Sequence, residues 1–221
     1  MVRHGQPEWV VDGLTVGDPP LTALGRRQVE DVARSLAVER FDEVFCSPLV
    51  RARESAAPLF GALGRPEAIA PWLEEIRNPV WHGTPAEKAE EAFRSDRAQS
   101  ADRRWDGLPG GESVREFVDR IHRGTSDFLA GRGVVPSRAD YPVWRIHNPG
   151  TRIGLVAHAG TNAVVICHLL GLTPVPWEWE RFVLGHASIS RLEAIAVGDG
   201  YTFSLSRLSD VEHLTIEQRT R

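Results

Sequence analysis

Two short apolar runs dominate the pattern of the chain, and each ends on polar residues. Arg152 to Ala157 (RIGLVA) and Phe41 to Cys46 (FDEVFC) read as buried strands. Such compact runs, bounded by turn or charged residues, fit strands covered on both faces. A third apolar stub, Met1-Val2, precedes Arg3-His4-Gly5. Two residues are few for a strand, which usually runs to about five or six. Elsewhere the spacing turns helical. Val29, Val32, Ala33 and Leu36 predict a helix over 24–36 with Thr22 as N-cap. A helix over about 48–63 follows the second strand, with Ser47 as N-cap, Pro48 in the first turn and Arg51 just behind. Ser113 and Glu116 form a capping-box pattern, and Val114, Phe117, Val118 and Ile121 supply the stripe of a helix reaching Leu129. Another helix runs from about Thr161 to Leu170, stopped by Gly171. Two strand-like runs, about 188–197 and 201–208, are joined by Gly198-Asp199-Gly200 as a hairpin.

The remaining stretches are less regular. Residues 6–21, with Pro7, Gly13, Gly17, Pro19 and Pro20, read as a loop. A polar helix covers about 85–98. Residues 131–151 hold Pro136, Pro142 and Pro149, show no period and read as a long loop. The alternation of strands and helices predicts an α/β fold: a three-layer α/β/α sandwich with a mainly parallel sheet and an antiparallel strand near the C-terminus. One domain is expected over 1–221, with an excursion at about 64–111 covering the carboxyl edge of the sheet.

Composition narrows the classes. Apolar residues make up 42% of the 221 residues, enough for a core. Twenty-six Lys plus Arg against 30 Asp plus Glu give a charge of −4, so no nucleic-acid partner is expected. Two cysteines, Cys46 and Cys167, form no framework and read as small buried hydrophobes of a reducing compartment. No apolar run is long enough to span a membrane, and no leader-like apolar region opens the chain, so no membrane partner and a cytoplasmic location are expected.

In an open α/β sheet the carboxyl ends of the strands share one edge, where ligands bind. Arg3 with His4, Arg51 and His158 all follow predicted strands. Two arginines and two histidines around one point repel each other unless an anion lies between them.

These segments resemble the histidine phosphatase superfamily, the phosphoglycerate-mutase-like fold. Arg3-His4-Gly5 followed by Pro20-Leu21-Thr22-Ala23-Leu24-Gly25-Arg26-Arg27-Gln28 looks like its start. Ser47-Pro48-Leu49-Val50-Arg51-Ala52 resembles its Ser-x-Leu-x-Arg-Ala motif, Leu73-Glu74-Glu75-Ile76 its Leu-x-Glu segment, and Leu155-Val156-Ala157-His158 its second histidine. The resemblance implies His4 as nucleophile, Arg3, Arg51 and His158 as the phosphate pocket, and Glu75 as proton donor. From the residues alone, Glu74 and Glu75 are equivalent. Two departures stand out: Val10 where the family often has asparagine, and Ala159 where it usually has glycine, the Ala159 N–H being retained. Gln6 and Thr15 are further candidates for phosphate or substrate contact.

The implied activity is a metal-independent phosphatase that hydrolyses a small phosphomonoester through a covalent phosphohistidine. A phosphoglycerate-type mutase and a non-catalytic phospho-ligand binding module are the alternatives. No cofactor is expected, and no metal, since the other histidines show neither HxH nor HExxH spacing. The partner is a small phosphorylated substrate. His186 is assigned to a turn, with pocket lining as the second reading. Trp72, Trp81 and Trp105 are assigned to a satellite core, with a pocket for an apolar substrate as the second reading. Trp177 and Trp179 are assigned to packing or to a subunit contact, which would make a homodimer.

Overall fold

A computed structural model describes residues 1–138 and 140–221. Its frame is a seven-stranded sheet. In chain order its strands are β1 (Val2–Arg3), β4 (Glu43–Cys46), β5 (Val134–Pro136), β6 (Trp144–Ile146), β7 (Ile153–Ala157), β8 (Ile189–Val197) and β9 (Gly200–Asp210). Across the sheet they follow the order β4-β7-β1-β8-β9-β6-β5. A separate two-stranded hairpin comprises β2 (Val10–Val11) and β3 (Leu14–Thr15). The helices are α1 (Ala23–Leu36), α2 (Val50–Ala62), α3 (Ala86–Arg97), α4 (Val114–Ala130), α5 (Ala159–Leu169) and the single turn α6 (Glu178–Arg181).

The side chains explain the layers. Alternation along β4 puts Val44 and Cys46 on one face, where they pack with Val2 and Val156 against Val29 and Val32 of α1 and Leu59 and Phe60 of α2. Phe45, Leu155 and Ala157 face the other way, toward Trp72 and Phe128. On that second side Phe117 and Ile121 of α4 pack with Val164 and Val165 of α5 and with Trp144. This is the expected α/β/α sandwich. The parallel part, β4-β7-β1, is the part buried on both faces, which is why its strands read as apolar runs. The antiparallel part is wider than the terminal hairpin, because β8, β9, β6 and β5 are all joined antiparallel.

The stretch 131–151 is not all loop: β5 and β6 lie within it and form the outer edge of the sheet. Three residues per strand are too few to display a period, and Pro136 sits at an edge that tolerates it. Ala139 of this stretch lies outside the described residues. The loop 6–21 likewise contains β2 and β3, turned by Asp12 and Gly13 with φ of 51° and 78°, the positive pair that a tight two-residue hairpin turn requires. Cys46 and Cys167 are buried free thiols, as expected. Among the described residues no helix is long and apolar enough to cross a membrane.

Candidate active site

Because β4, β7 and β1 are adjacent and parallel, the residues that follow them lie side by side. These are Ser47, His158 and His4. The rings of His4 and His158 are 5.1 Å apart, and both residues are buried. His4 Nδ1 lies 2.7 Å from the Gly5 carbonyl oxygen. A carbonyl can only accept, so Nδ1 carries the proton and Nε2 keeps its lone pair. Burial, then His158, Arg51 and Arg3, hold His4 well below the usual histidine range, so it is neutral at pH 7. Burial and the same two arginines hold His158 down likewise. Its Nε2 meets Ser47 Oγ at 2.7 Å, while its Nδ1 is buried with no protein partner.

Arg3 is fixed from behind. One terminal nitrogen donates to the Leu184 carbonyl at 2.5 Å, the other to His186 Nε2 at 2.9 Å. Guanidinium has no acceptor, so His186 Nε2 must accept, and its Nδ1–H donates to Thr220 Oγ1 at 2.9 Å. Burial and the Arg3 charge push His186 down to about 3, which keeps it an acceptor at neutral pH. Its ring is 5.8 Å from that of His4. Arg51 stands in the first turn of α2, where Asp18 Oδ1 accepts from it at 3.4 Å and the Trp9 ring lies 4.8 Å from its guanidinium carbon. Burial lowers Arg3 to about 10 and lowers Arg51, yet a guanidinium shifted from so high a value stays charged at pH 7. The Nε atoms of Arg3 and Arg51 are both buried without a protein partner. Buried polar atoms are nearly always paired. Two cationic N–H donors and an imidazole nitrogen left over beside neutral His4 form a receptor for an anion with several acceptor oxygens.

The structure separates Glu75 from Glu74. Glu74 Oε2 accepts from its neighbour Arg77 at 2.7 Å. Glu75 turns to the cluster, where its carboxylate accepts from the N–H of Gly160 at 2.9 Å and of Ile76 at 3.0 Å. Gly160 is second in α5, so Glu75 caps that helix from a distant part of the chain. A Cβ on Gly160 would stand 2.6 Å from Glu75 Oε1, so the absent side chain makes the contact possible. Arg120 of α4 donates to the backbone carbonyls of Glu74 at 3.0 Å and Glu75 at 3.2 Å, and is itself gripped by Glu112. Burial pushes the Glu75 carboxyl up, against the opposing pull of Ile76 N–H, Arg51, Gly160 N–H and Arg3. A shallow hollow of about 500 Å³ lined by Arg77, Glu112, Arg120 and Arg123 shares Arg120 with this support but contains none of His4, Arg3, Arg51 and His158.

Other expectations shift. Ser47 and Pro48 do not open α2. The residue before the helix is Leu49, in extended backbone, and Val50 is the first helical residue. Ser47 is thereby freed to meet His158. The Val50 N–H is not open to an anion either, since both Asp18 oxygens accept from it at 3.1 and 3.2 Å. Gln6 spends its side-chain oxygen on Thr22 Oγ1 at 2.9 Å. Thr15 lies in β3, held backbone to backbone with Thr84 and Gly83 rather than with the histidines. Ala159 opens α5, earlier than Thr161, so its N–H belongs to the unpaired first turn beside His158. His186 belongs to the cluster through Arg3, so pocket lining is the better reading for it. Trp72 and Trp105 pack with the α4 side of the core, and Trp81 stacks edge-on with Phe93. Trp179 packs within the chain, and Trp177 faces Arg104. Among the described residues no group of three His, Cys, Asp or Glu side chains is placed to hold a metal ion.

The family model of the histidine phosphatase superfamily, branch 1, matches residues 1–205. The chain belongs to this superfamily. A protein named probable phosphoglycerate mutase GpmB, from Salmonella choleraesuis strain SC-B67, is 29% identical over 223 residues, covering 97% of this chain and 93% of its own. The structure of a mycobacterial glucosyl-3-phosphoglycerate phosphatase with inorganic phosphate shares 25% identity at a TM-score of 0.69, over 97% of this chain and 98% of that one. A phosphoserine phosphatase mutant from Entamoeba histolytica, in complex with phosphoserine, shares the fold at 22% identity and a TM-score of 0.67, over 97% of each chain. Membership in the histidine phosphatase superfamily supports an enzyme, and relatives with phosphatase and with mutase names both stand near this chain.

Proposed function

We propose that this histidine phosphatase hydrolyses phosphomonoesters through a phosphohistidine formed on His4 Nε2, with 64–111 lying over the site as part of the same domain. The observation that carries this reading is the neutral His4, with Nε2 free, beside three unpaired buried nitrogens on Arg3, Arg51 and His158. In the first step His4 Nε2 bonds to phosphorus as the P–O bond to the alcohol breaks, and Glu75 gives its proton to that oxygen. In the second, water attacks the phosphohistidine, Glu75 takes the water's proton, and phosphate leaves. Arg3 and Arg51 neutralise the equatorial oxygens in both steps, and His158 offers its Nδ1 to them as a hydrogen-bonding group. Ser47 holds the His158 ring and His186 holds Arg3. Burial serves each role: it keeps His4 uncharged for attack and shifts Glu75 upward, toward the protonated form that donates.

The test is release of phosphate from aryl and alkyl phosphates in EDTA over pH 5 to 8. Steady turnover of both esters is expected. Transfer of the phosphoryl group to a second phosphoglycerate in preference to water would favour the mutase reading. Binding of phosphate without turnover of any ester would favour the binding module.

A further inference from the structure

The hairpin β2-β3 carries information that the phosphate chemistry does not use. Its ladder pairs Val11 with Leu14 and Val10 with Thr15, and continues one step as Val16 N–H donates to the Trp9 carbonyl at 2.9 Å. Cross-strand partners share a face, and residues two apart share a face. Trp9, Val11, Leu14 and Val16 therefore form one apolar face, and Trp9 lies directly over Arg51. Trp9, Val11 and Leu14 are 41 to 45% exposed, an unusual grouping for a hairpin this small. The hairpin is not loose. Thr15 N–H donates to Thr84 O at 2.8 Å, Gly83 N–H to Thr15 O at 2.9 Å and Ala86 N–H to Gly13 O at 3.0 Å, which tie it to the excursion.

Charge on this segment has one sign. Between His4 and Thr22 the chain has Glu8, Asp12 and Asp18 and neither lysine nor arginine. Asp18 already faces Arg51. From the excursion, His82 accepts the Gly17 N–H through Nδ1, and Arg77 is engaged by Glu74. Arg51 is committed to the phosphate pocket, so a leaving group with its own carboxylate or second phosphate would meet like charge on this segment.

We propose that the site takes phosphomonoesters of uncharged, apolar alcohols, seated on the Trp9-Val11-Leu14 face, and discriminates against esters that bear a second anion. The proposal rests on the phosphate pocket of the reading above, but not on its chemical steps. Binding is therefore measured with phosphonates, which cannot turn over. Ethyl-, hexyl- and 2-carboxyethylphosphonate are titrated by calorimetry into the wild type and Val11→Arg. The wild type is expected to bind hexyl at least about tenfold tighter than ethyl, with carboxyethyl weakest. Val11→Arg is expected to lose the hexyl preference and to gain more affinity for carboxyethyl than for ethyl. Leu14→Ser, which adds no charge, is expected to weaken hexyl more than ethyl. Equal affinity for the three phosphonates, or carboxyethyl the tightest, would overturn the proposal. Absence of binding by all three would overturn it together with the phosphate pocket. Phosphonate binding in the expected order without hydrolysis of hexyl phosphate would leave this proposal standing and remove the hydrolytic one.

Discussion

His4→Ala is expected to abolish phosphate release, a fall on the order of 10⁶-fold of the kind seen when an acting nucleophile is lost. The neighbouring histidines are held in other roles. His158 is engaged by Ser47 through Nε2, and His186 accepts from Arg3 and donates to Thr220. The variant keeps Arg3, Arg51 and His158, so it is expected to bind inorganic phosphate with near-wild-type affinity. A phosphate titration and a melting curve separate this outcome from misfolding. Measurable turnover in a folded His4→Ala protein would show that the attack comes from elsewhere. The wild-type pH profile carries the same logic. His4 must be neutral to attack, and its surroundings hold it well below 6.5. The acid limb of kcat/KM is therefore expected far below the usual histidine range.

Glu75→Gln is the second large effect. For alkyl phosphates kcat is expected to fall by about 10²- to 10⁴-fold, the usual worth of a positioned acid. For aryl phosphates, whose leaving groups need little protonation, the loss in the first step is expected to be much smaller. The wild type needs Glu75 protonated at the start. Activity on alkyl esters is therefore present below its raised folded pKa and lost as pH climbs through it. In Glu75→Gln that alkaline limb is expected to flatten. Glu74→Gln is the control, since Glu74 pairs with Arg77 and not with the cluster. Equal losses for alkyl and aryl esters in the rate of alcohol release in the first turnover, or a larger loss in Glu74→Gln, would contradict the assignment of the acid.

How much of this was legible in the sequence follows from which contacts are local. The two apolar runs ending near Arg51 and at His158 were readable because a strand covered on both faces must be apolar throughout. The capping box of Ser113 and Glu116 was readable for the same reason of locality, and both of its hydrogen bonds are present. Ser47 reads as a cap because a serine before a proline is a good cap locally, whereas its actual partner, His158, is 111 positions away. His186 carried no local mark, since its role depends on Arg3, 183 positions earlier. Glu74 and Glu75 differ only in what their side chains meet, and Gly160 and Arg120 decide it from the far side of the chain. The strands β5 and β6 were too short to show a period. The apolar face of the first hairpin was hidden because a loop reading of 6–21 leaves Trp9, Val11 and Leu14 without a common direction.

The most direct test of the central claim is to trap the phosphoenzyme. Wild type and His4→Ala are mixed with an aryl phosphate, quenched in alkali within milliseconds, where phosphohistidine survives, and mapped by mass spectrometry. A single phosphoryl group on His4 of the wild type, formed as fast as the alcohol is released and absent from His4→Ala, is the expected result. A phosphoryl group on another residue, or release of the alcohol in the first turnover with His4 unmodified at every time point, would contradict the account.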